Sequence, residues 1–519
     1  MFVAVCGNME VGVKYLIGVD LGTSGVKTVL FDQTGKAVRW AATEYPLHQP
    51  QNGWAEQDPH DWWSACADTL RRVISDSGVD PADICGVGLS GQMHGLVMLD
   101  GHGQVLRDSI IWCDSRTADE CAEITQKVGA AKLIEITANP ALTGFTAGKI
   151  LWVRRHQPEL YERCRQILLP KDYLRYKLTG RYGAEYSDAS GTNLLDVSGW
   201  RWSLEVLEKL EIDPQLLPPL HESCEVAGHV TGAAAALTGL KEGTPVVSGA
   251  GDNAAAAVGT GVVESGKAFA TIGTSGVVFA HSDSVAIDPD GRVHTFCSAV
   301  PGSWTVMSCT LAAGMSLQWL RNNFFQAEMQ AAAGLGENAY RFMDQQAELL
   351  PIGANRLLYL PYLMGERSPL LDPDARGVFF GLSAIHTKYD MLRAVMEGVI
   401  HSQRQCLDVL RGMGVVSSEI LATGAGGSSA LWRQMMADSF GIPVVTVQNR
   451  EGPALGAAIL AGVGTGLYPD IPQACRSIIK TNPPQQPDPE SAAKYQPYYE
   501  LFCALYPSLR DSFKALAKL

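Results

Sequence analysis

The chain has 519 residues, of which 46% are apolar and 18% are charged. This balance is typical of a globular enzyme and too apolar for a disordered chain. Acidic residues outnumber basic ones by 54 to 41, and no run of Lys or Arg interrupts them. The composition therefore argues against nucleic acid and against an anionic membrane as partners. Polar residues interrupt every stretch of 18 residues, so we expect no membrane-spanning segment.

The twelve cysteines are scattered along the chain, and no two of them have the C-x-x-C spacing. This distribution disfavours both a zinc site and a disulfide framework, and we expect reduced thiols in a cytoplasmic protein. The N-terminal residues have no basic segment, and Glu10 interrupts their apolar stretch. We therefore expect no signal peptide.

Residues 15–32 predict two short strands joined by a tight Gly-Thr-Ser-Gly turn, and a second turn at 32–36 leads into a third strand. Residues 268–280 show the same pattern, so that LGTSGV at 21–26 recurs as IGTSGV at 272–277. A repeat whose flanking strands also match indicates a duplicated domain.

Between the two turns, helical and strand patterns alternate, which predicts an α/β architecture. The clearest helix has Asp58 as N-cap and Pro59 in its first turn, followed by apolar residues every three or four positions. A strand predicted at 84–100 is interrupted by small and polar residues. Such an interruption is typical of a backbone that makes room for a ligand.

The second half of the chain repeats this alternation. A strand that ends at Leu421 is followed by glycines, by a helix that ends at Gly441 and by another strand. Residues 452–463 predict a helix of small residues, which lets backbones approach closely. The Pro- and Gln-rich residues 470–490 predict a surface crossing, and a last helix is expected near 497–517.

Two glycine patterns resemble nucleotide-binding motifs but lack their context. Residues 86–91 fit G-x-G-x-x-G, yet no phosphate-facing helix is predicted after them. Residues 261–268 fit G-x-x-x-x-G-K, but Ala268 replaces the hydroxyl residue that would bind Mg²⁺, and a strand follows. The chain contains no H-E-x-x-H and no G-x-S-x-G motif, so a zinc protease and an α/β-hydrolase are disfavoured.

The two Gly-Thr-Ser-Gly turns are the best candidates for a phosphate site. In a tight turn between strands, successive backbone N–H groups point into the bend, and two such turns facing each other can hold a polyphosphate. Asp20 precedes the first turn, where a carboxylate would repel phosphate unless a cation such as Mg²⁺ lay between them. The alternative is that Asp20 and Gly22 only cap a hairpin.

Two further candidates each have an alternative interpretation. Asp252 follows Gly-Ala-Gly and precedes an alanine-rich helix, so its carboxylate suits an N-cap and a general base equally well. The third glycine cluster, GAGGSS at 424–429, lies between a strand and a helix, which suits close packing of a purine on the backbone. A bare turn explains this cluster nearly as well.

Together these segments resemble the FGGY carbohydrate kinases, a family of the actin-like ATPase superfamily, from residue 15 to about residue 465. Residues 144–156, GFTAGKILWVRRH, look like the first signature of the family, and residues 377–397 look like the second. Met93 and His94 match the form found in members that act on D-xylulose, where members that act on glycerol carry Arg-Glu.

The resemblance implies an α/β fold of two actin-like, ribonuclease H-like domains, at 14–256 and 257–519, that flank a central cleft. It implies ATP-dependent phosphorylation of D-xylulose to D-xylulose 5-phosphate in pentose catabolism, with ATP and Mg²⁺ as cofactors. A homodimer is a common assembly for an enzyme of this size. The alternatives are a kinase of the same family for another ketose or polyol, such as ribulose or gluconate, and a non-catalytic sensor.

The resemblance also implies a role for each candidate residue. Asp252 would be the general base that takes the proton of the sugar C5 hydroxyl, and Asp20 would be the aspartate associated with Mg²⁺. The residues implied to contact the sugar are Met93, His94, Asp252 and Asn253. The two turns would be phosphate loops and the third cluster the adenosine segment, namely Gly22, Thr23 and Ser24; Gly273, Thr274 and Ser275; and Gly424, Ala425, Gly426, Gly427 and Ser428.

Three other features complete these expectations. Trp112, Asp114 and Arg116 also fit the family pattern, and we expect structural roles for them. Relatives begin a few residues before the first strand, whereas this chain has an extension there, which makes Met9 a candidate start residue. Two domains that flank one nucleotide predict a hinge closure on the sugar, which would exclude water from the cleft.

Overall fold

The structure is a computed structural model that describes residues 12–336, 338–449 and 451–519, so the candidate start residue Met9 lies outside the described residues. Its strands are numbered β1 to β23 in chain order. They are Tyr15–Leu21, Gly25–Asp32, Ala37–Glu44, Glu56–Gln57, Ile84–Gly91, Val97–Leu99, Ser109–Ile110, Gln166–Leu168, Ala184–Glu185, Leu195–Asp196, Arg201–Trp202, Leu220–His221, Val226–His229, Pro245–Val247, Ala250–Gly251, Gly266–Ile272, Gly276–Ser282, His294–Cys297, Trp304–Thr310, Leu358–Leu360, Val378–Phe380, Ser417–Thr423 and Val444–Val445.

The helices are numbered α1 to α19 in the same way. They are Pro59–Ser77, Ala118–Val128, Ala130–Thr137, Thr146–His156, Pro158–Arg163, Pro170–Thr179, Tyr186–Ala189, Leu204–Leu210, Gly232–Thr238, Asp252–Thr260, Gly314–Phe324, Gln326–Gly334, Ala339–Glu348, Lys388–Gly412, Gly424–Gly427, Ala430–Phe440, Gly452–Gly464, Ile471–Ile478 and Pro489–Leu516. Short 3₁₀ turns lie at Pro81–Asp83, Ser190–Thr192 and Pro214–Leu216.

The first large sheet is built around β1. On one side β2 and β3 continue the sheet antiparallel, and on the other side β5 and then β14 continue it parallel. The spatial order is β13-β14-β5-β1-β2-β3, and β15 also pairs with β5. The hairpin of β1 and β2 confirms the strand, turn and strand predicted at 15–32.

The second large sheet repeats this plan around β16. Strands β17 and β19 continue it antiparallel, and β22 and β23 continue it parallel on the other side. The spatial order is β18-β19-β17-β16-β22-β23. The second Gly-Thr-Ser-Gly turn joins β16 to β17, as the first joins β1 to β2. The prediction of an α/β fold with two actin-like domains is confirmed.

Helix α1 begins where the sequence predicts. The Asp58 side chain accepts a hydrogen bond from His60 N at 2.8 Å, and Pro59 lies in the first turn, where a missing N–H costs nothing. The apolar face of the helix is buried against the first sheet, through residues that include Trp62, Cys66, Leu70 and Val73. The helix therefore covers one side of the sheet that carries the first turn.

Helices α10 and α17 cross between the two sheets. Helix α17 follows the strands of the second sheet in sequence, yet it packs on β1 and β5 of the first. A Cβ on Gly18 would lie 1.8 Å from Ala454 O, and a Cβ on Gly456 would lie 1.9 Å from Ala255 O. Only glycine permits these approaches. Helix α10 in turn packs through Ala257 on the second sheet, so each half contributes a helix to the core of the other.

Neither of the two glycine patterns leads into a phosphate-facing helix, which confirms the interpretation that they are not nucleotide-binding motifs. Residues 86–91 belong to β5, and β16 begins at Gly266, inside the second pattern. The strand predicted at 84–100 is two strands, β5 and β6, separated by residues 92–96. The interruption that the sequence indicates is therefore a loop at the end of β5.

Two predictions for the second half of the chain are wrong. Strand β22 continues beyond Leu421 to Thr423. The region 470–490 contains helix α18 and is not only a surface crossing, because the Asp470 side chain accepts from Gln473 N at 2.7 Å and caps the helix.

The last helix begins earlier than the predicted residue 497. It begins at Pro489, and Pro497 and Pro507 lie inside it. Tyr495 is 2% exposed and packs in the core of the second half. The burial of this aromatic face outweighs the hydrogen bonds that the two prolines remove.

Three findings concern the chain as far as the structure describes it. No helix there is both long enough and apolar enough to cross a membrane. The cysteines of this part are free thiols. It contains no group of three or more His, Cys, Asp or Glu side chains arranged to hold a metal ion.

Candidate active site

Two aspartates lie at the carboxyl edge of the first sheet. Asp20, near the end of β1, lies beside Ser90 of β5, whose Oγ donates to Asp20 Oδ1 at 3.0 Å. Ser90 also lies beside Ala250 of β15, and Asp252 begins helix α10 two residues later. Because parallel strands bring their carboxyl ends to one edge of a sheet, the fold sets Asp20 and Asp252 near each other.

Asp252 is the first residue of α10, whose N-cap is Gly251. The interpretation of Asp252 as an N-cap is therefore wrong, although its charge still gains from the helix N-terminus. Its Oδ1 accepts from Asn253 N at 2.7 Å and from the Asn253 side-chain amide at 3.1 Å. No hydrogen bond to Oδ2 is found from any described residue, which leaves that oxygen available to a substrate.

The surroundings change the proton affinity of both carboxylates. Burial, and after it the charge of Asp20, raise the pKa of Asp252 to about 7, while the hydrogen bond from Asn253 N lowers it. Burial also raises the pKa of Asp20, against the hydrogen bond from Ser90 and the charge of Lys27. A carboxylate whose pKa lies near the working pH is well suited to accept a proton during a reaction.

Met93 and His94 lie in the loop between β5 and β6, next to the start of α10. Met93 is buried, and a Cβ on Gly251 would lie 2.9 Å from Met93 Cγ. His94 has a φ of 70°, and its ring stacks on Phe145 with centroids 4.5 Å apart. Its Nδ1 lies 2.8 Å from Gly191 O. The fold therefore sets Met93 and His94, two of the four predicted sugar-contacting residues, in the loop beside the start of α10, where Asp252 lies.

The bond to Gly191 determines which nitrogen of His94 carries the proton. A carbonyl oxygen only accepts, so Nδ1 must be the donor. Burial, with a smaller contribution from the charge of Lys149, lowers the pKa of His94 to about 3, and the ring is neutral near pH 7. Nε2 is then a hydrogen-bond acceptor, and a hydroxyl group is a fitting donor to it.

Three residues that hold this pocket were not predicted from the sequence. Lys149 Nζ donates to His94 O at 2.8 Å, and Thr146 Oγ1 donates to the same oxygen at 3.1 Å. Burial lowers the pKa of Lys149 to about 7. Lys149 and Thr146 lie in the segment that resembles the first signature, which could have indicated them. Gly191, the third, has no such signal.

In the first turn the carbonyl groups are bonded and two N–H groups are not. Gly22 O accepts from Tyr45 OH, Thr23 O accepts from Gln57 Nε2 at 2.7 Å, and Ser24 O accepts from Tyr45 N at 3.4 Å. No acceptor for the N–H groups of Thr23 and Ser24 is found in the described part of the chain. The turn therefore offers donors to an anion.

The second turn has the same polarity. Gly273 O accepts from Gly314 N at 2.8 Å, and Thr274 O accepts from Met315 N at 3.1 Å, both at the start of α11. Ser275 O accepts from Gly273 N at 3.0 Å. The N–H groups of Thr274 and Ser275 find no acceptor among residues 12–336, 338–449 and 451–519. Both turns thus direct their acceptors inward and leave donors for a ligand.

The third glycine cluster forms the short helix α15 at the end of β22. Gly424 has a φ of 75°, and a Cβ there would lie 2.7 Å from the O atom of Ile272, the residue that precedes the second turn. A Cβ on Gly426 would lie 2.4 Å from Ile272 Cγ2. Close packing on Ile272 therefore sets the cluster against the second turn.

A cavity of about 770 Å³ lies against α15. Asn253 and Thr260 of α10 line it, as does Phe269 of β16. Val447, which follows β23 in the chain, lines it as well. The residues of the third cluster that line it are Gly424, Ala425, Gly427 and Ser428, whereas Gly426 does not line it. The cavity is within the size range of small-molecule and cofactor sites. Through Asn253, it adjoins Asp252.

The contacts of the remaining candidates differ. Asp114 accepts from Ala55 N at 2.6 Å and pairs with Arg116 at 2.7 Å, and the Arg116 guanidinium lies 3.7 Å from the ring centroid of Trp54. These contacts support structural roles. Trp112 is 45% exposed, and its Nε1 donates to Oγ1 of residue 23 at 2.9 Å. Trp112 therefore supports the first turn directly.

Comparisons with known proteins agree with this geometry. The family model of the N-terminal domain of FGGY carbohydrate kinases matches residues 15–259, and that of the C-terminal domain matches residues 268–465. A xylulose kinase of Bacillus subtilis (strain 168) is 40% identical over 503 residues, covering 97% of this chain and 99% of that protein. A gluconokinase of the same strain is 31% identical over 512 residues, covering 97% and 98%.

A solved structure described as a xyloylose kinase from Brucella ovis superposes with a TM-score of 0.88 and is 36% identical in sequence. The match covers 96% of this chain and 99% of that one. Both family models, the full-length relatives and the shared architecture agree. The chain belongs to the FGGY family of carbohydrate kinases.

Proposed function

We propose that this chain phosphorylates D-xylulose with ATP, giving D-xylulose 5-phosphate in the cytoplasm. The observation that carries the proposal is the packing of Met93 on Gly251, which sets the pocket of Met93 and His94 beside Asp252. The xylulose kinase among its relatives supports the choice of sugar. The free thiols in the described part of the chain support the location.

Asp252 is the proposed general base. It takes the proton of the sugar C5 hydroxyl as the hydroxyl oxygen bonds to the γ-phosphorus and the bond from phosphorus to the ADP oxygen breaks. The raised pKa of about 7 supports this role, because the group is then a stronger base than an ordinary carboxylate. Asn253 orients the carboxylate through Oδ1, so that Oδ2 faces the sugar.

In the proposed sugar site, His94 binds and Met93 excludes water. The neutral ring of His94 accepts a hydrogen bond from a sugar hydroxyl at Nε2, since Nδ1 is bonded to Gly191 O. Met93 is 6% exposed and supplies an apolar wall. Asn253 is proposed to contact the sugar as well, at the point where α10 begins.

The two turns are the proposed phosphate loops, and residues 424–428 are the proposed adenosine segment. A Cβ on Gly22 would lie 3.4 Å from the nearest atom of the chain, and a Cβ on Gly273 would lie 3.5 Å away. The protein's own packing therefore tolerates a larger residue at both positions. A phosphate that approaches the backbone gives a reason for glycine there.

Mg²⁺ fits the residues beside the first turn. Asp20 offers a carboxylate of which Oδ1 bonds Ser90, and Oδ2 has no hydrogen bond from the described residues. No cluster of three acidic, His or Cys ligands is found in that part of the chain, so the ion would have this carboxylate together with water and phosphate, which suits Mg²⁺. When bound, it supplies positive charge beside the phosphates.

The division into domains at 14–256 and 257–519 and the homodimer are also proposals. The boundary between residues 256 and 257 falls inside α10. Because α10 and α17 each pack on the sheet of the other half, their crossing is the proposed hinge for closure of the cleft on the sugar. Small-angle scattering with D-xylulose and a non-hydrolysable ATP analogue tests the closure, and an unchanged radius of gyration would contradict it.

The function is tested by ADP release from the purified protein with Mg²⁺ and ATP. The panel contains D-xylulose, L-xylulose, D-ribulose, L-ribulose, glycerol, gluconate and no sugar. We expect kcat/KM for D-xylulose to exceed that for each other sugar at least about tenfold, or ~1.4 kcal/mol. Asp252→Asn should lose about 10²- to 10⁴-fold in kcat, whereas Asp511→Asn, which is exposed on α19, should not change it.

Other outcomes have definite meanings. A preference for gluconate would support the second candidate function, which is phosphorylation of gluconate. The similarity to the gluconokinase of Bacillus subtilis favours this alternative. Such a preference would void the choice of sugar and keep the site. An Asp252→Asn variant that retains most of its kcat would exclude Asp252 as the base. If no sugar raises ADP release above the control, the chain is a sensor and not a kinase.

A further inference from the structure

Arg367 is an exposed residue in the second half of the chain, and its hydrogen bonds are made by its backbone atoms. Its N donates to Glu366 Oε1 at 2.8 Å, and its O accepts from Leu371 N. The guanidinium makes no hydrogen bond or ion pair with any residue that the structure describes. Since a guanidinium has five donors, this side chain is available to a ligand that carries several acceptors.

On one side, the segment of Arg367 is fixed to the strand next to the second turn. Ser368 N donates to Cys309 O at 3.0 Å, and Cys309 of β19 lies opposite Val277 of β17. Leu311 N, just beyond β19, donates to Glu366 Oε1 at 2.8 Å. Val277 is two residues beyond Ser275. The backbone of Arg367 is therefore tied to the sheet edge that carries the second turn.

On the other side, the same segment reaches the wall of the sugar pocket. Ser368 Oγ donates to Arg292 O at 2.7 Å, and β18 begins two residues later at His294. The ring of His294 lies 5.8 Å from that of Phe145, on which His94 stacks. Arg367 thus belongs to a short bridge between the second turn and the aromatic side chains of the pocket.

The charge of Arg367 acts on the rings of His294 and His94. Burial, and after it the positive charge of Arg367, lower the pKa of His294 to about 3. Arg367 also contributes, after burial and Lys149, to the lowered pKa of His94. These effects put the guanidinium within electrostatic reach of both histidine rings. They agree with the hydrogen bond of Ser368, which ties the adjacent backbone to the same region.

We propose that the Arg367 guanidinium binds the phosphoryl group while it passes from ATP to the sugar. In this step the bond between the γ-phosphorus and the ADP oxygen breaks, the bond to the sugar oxygen forms, and Asp252 takes the hydroxyl proton. Arg367 keeps its charge and donates two parallel hydrogen bonds to non-bridging oxygens. The inference rests on the proposed kinase function.

Arg367→Ala and Arg367→Lys test this role, with Arg376→Ala as matched control. Arg376 is an exposed arginine of the same loop region, and its guanidinium bonds the backbone oxygens of Pro373 and Ala375. We expect kcat to fall about 10²- to 10³-fold in Arg367→Ala, with KM for the sugar changed less than about threefold. Lysine should restore only part of kcat, because it cannot bond two oxygens in parallel. Added guanidine should raise the kcat of Arg367→Ala.

The kinetics are measured with whichever sugar of the panel the wild type phosphorylates, so a wrong choice of sugar does not affect the test. A kcat of Arg367→Ala within about threefold of the wild type would overturn the proposal, and so would a loss confined to the KM of the sugar. Calorimetric titration of inorganic phosphate in the presence of ADP gives a readout without turnover. We expect the variant to bind at least about tenfold more weakly than the wild type and Arg376→Ala, and equal affinities would also overturn the proposal.

Discussion

Replacing Gly191 with alanine adds one methyl group beside His94 and so tests the proposed sugar pocket. Gly191 has no positive φ, so its backbone accepts an alanine. The new Cβ, however, would lie 2.3 Å from both Cε1 and Nδ1 of His94. Atoms in contact are about 3.5–4.0 Å apart, so the ring must move by roughly 1.2–1.7 Å.

This movement breaks the 2.8 Å bond from His94 Nδ1 to Gly191 O and disturbs the 4.5 Å stack on Phe145. A buried donor that loses its partner costs about 1–3 kcal/mol. That energy corresponds to about 5- to 150-fold in affinity. We therefore expect Gly191→Ala to raise KM for the sugar by a factor in this range and to leave KM for ATP within about twofold of the wild type.

The assay is steady-state kinetics in which the sugar and ATP are varied in turn. The matched control is Gly412→Ala at the end of α14, where a Cβ would meet no atom within 4 Å. A Gly191→Ala variant with the sugar KM of the wild type would refute the reasoning. So would an equal rise in both KM values with a lowered melting temperature, because general damage would then explain the effect.

Three further predictions follow from the site and the core. The kcat/KM for the sugar should rise with pH on a limb with an apparent pKa of about 7, because Asp252 accepts a proton only when ionised; a flat profile across that range would contradict this. Trp112→Phe removes the 2.9 Å bond to the first turn and should raise KM for ATP about 2- to 10-fold without changing that for the sugar, as two-substrate kinetics would show. Gly18→Ala brings a Cβ within 1.8 Å of Ala454 O and should lower the free energy of unfolding by at least about 1–3 kcal/mol, as measured by urea titration. The control Gly334→Ala, where a Cβ would meet no atom within 4 Å, should leave the free energy of unfolding unchanged.

The parts of the site that depend on local sequence could be predicted. The repeat of LGTSGV at 21–26 as IGTSGV at 272–277 predicts two hairpin turns, because a hairpin is set by neighbouring residues. The start of a helix at Asp252 could be expected for the same reason. Its N-cap is Gly251, however, and the choice between cap and base needed the backbone.

The support of His94 could not be predicted in this way. Gly191 and Lys149, which hold the residue from two sides, are 97 and 55 positions away in the chain. Tertiary packing brings them together; the segment that resembles the first signature could have indicated Lys149, but no sequence pattern indicates Gly191. Arg367 was missed for a related reason, because an exposed arginine in a loop resembles any other charged surface residue until its neighbours are known.

The error at the last helix has a physical cause of the same kind. Pro497 argues against a helix interior, and local propensity places the start of the helix there. Tyr495 and Tyr499 are nevertheless buried on the same face of α19, and Tyr499 OH donates to Asp408 Oδ2 at 2.6 Å. Contacts with α14 therefore decide the length of a helix that its own sequence disfavours.

The crossing of α10 and α17 also determines when the fold can be completed during synthesis. Strands β1 and β5 lie in the first 91 residues, but the helix that covers them, α17, spans Gly452–Gly464. As the chain leaves the ribosome, one face of the first sheet stays uncovered until nearly all of the remaining sequence has been synthesised. A truncated chain that ends before residue 452 would leave that face open to water. The nascent first half therefore presents an apolar face to its surroundings until the chain is almost complete.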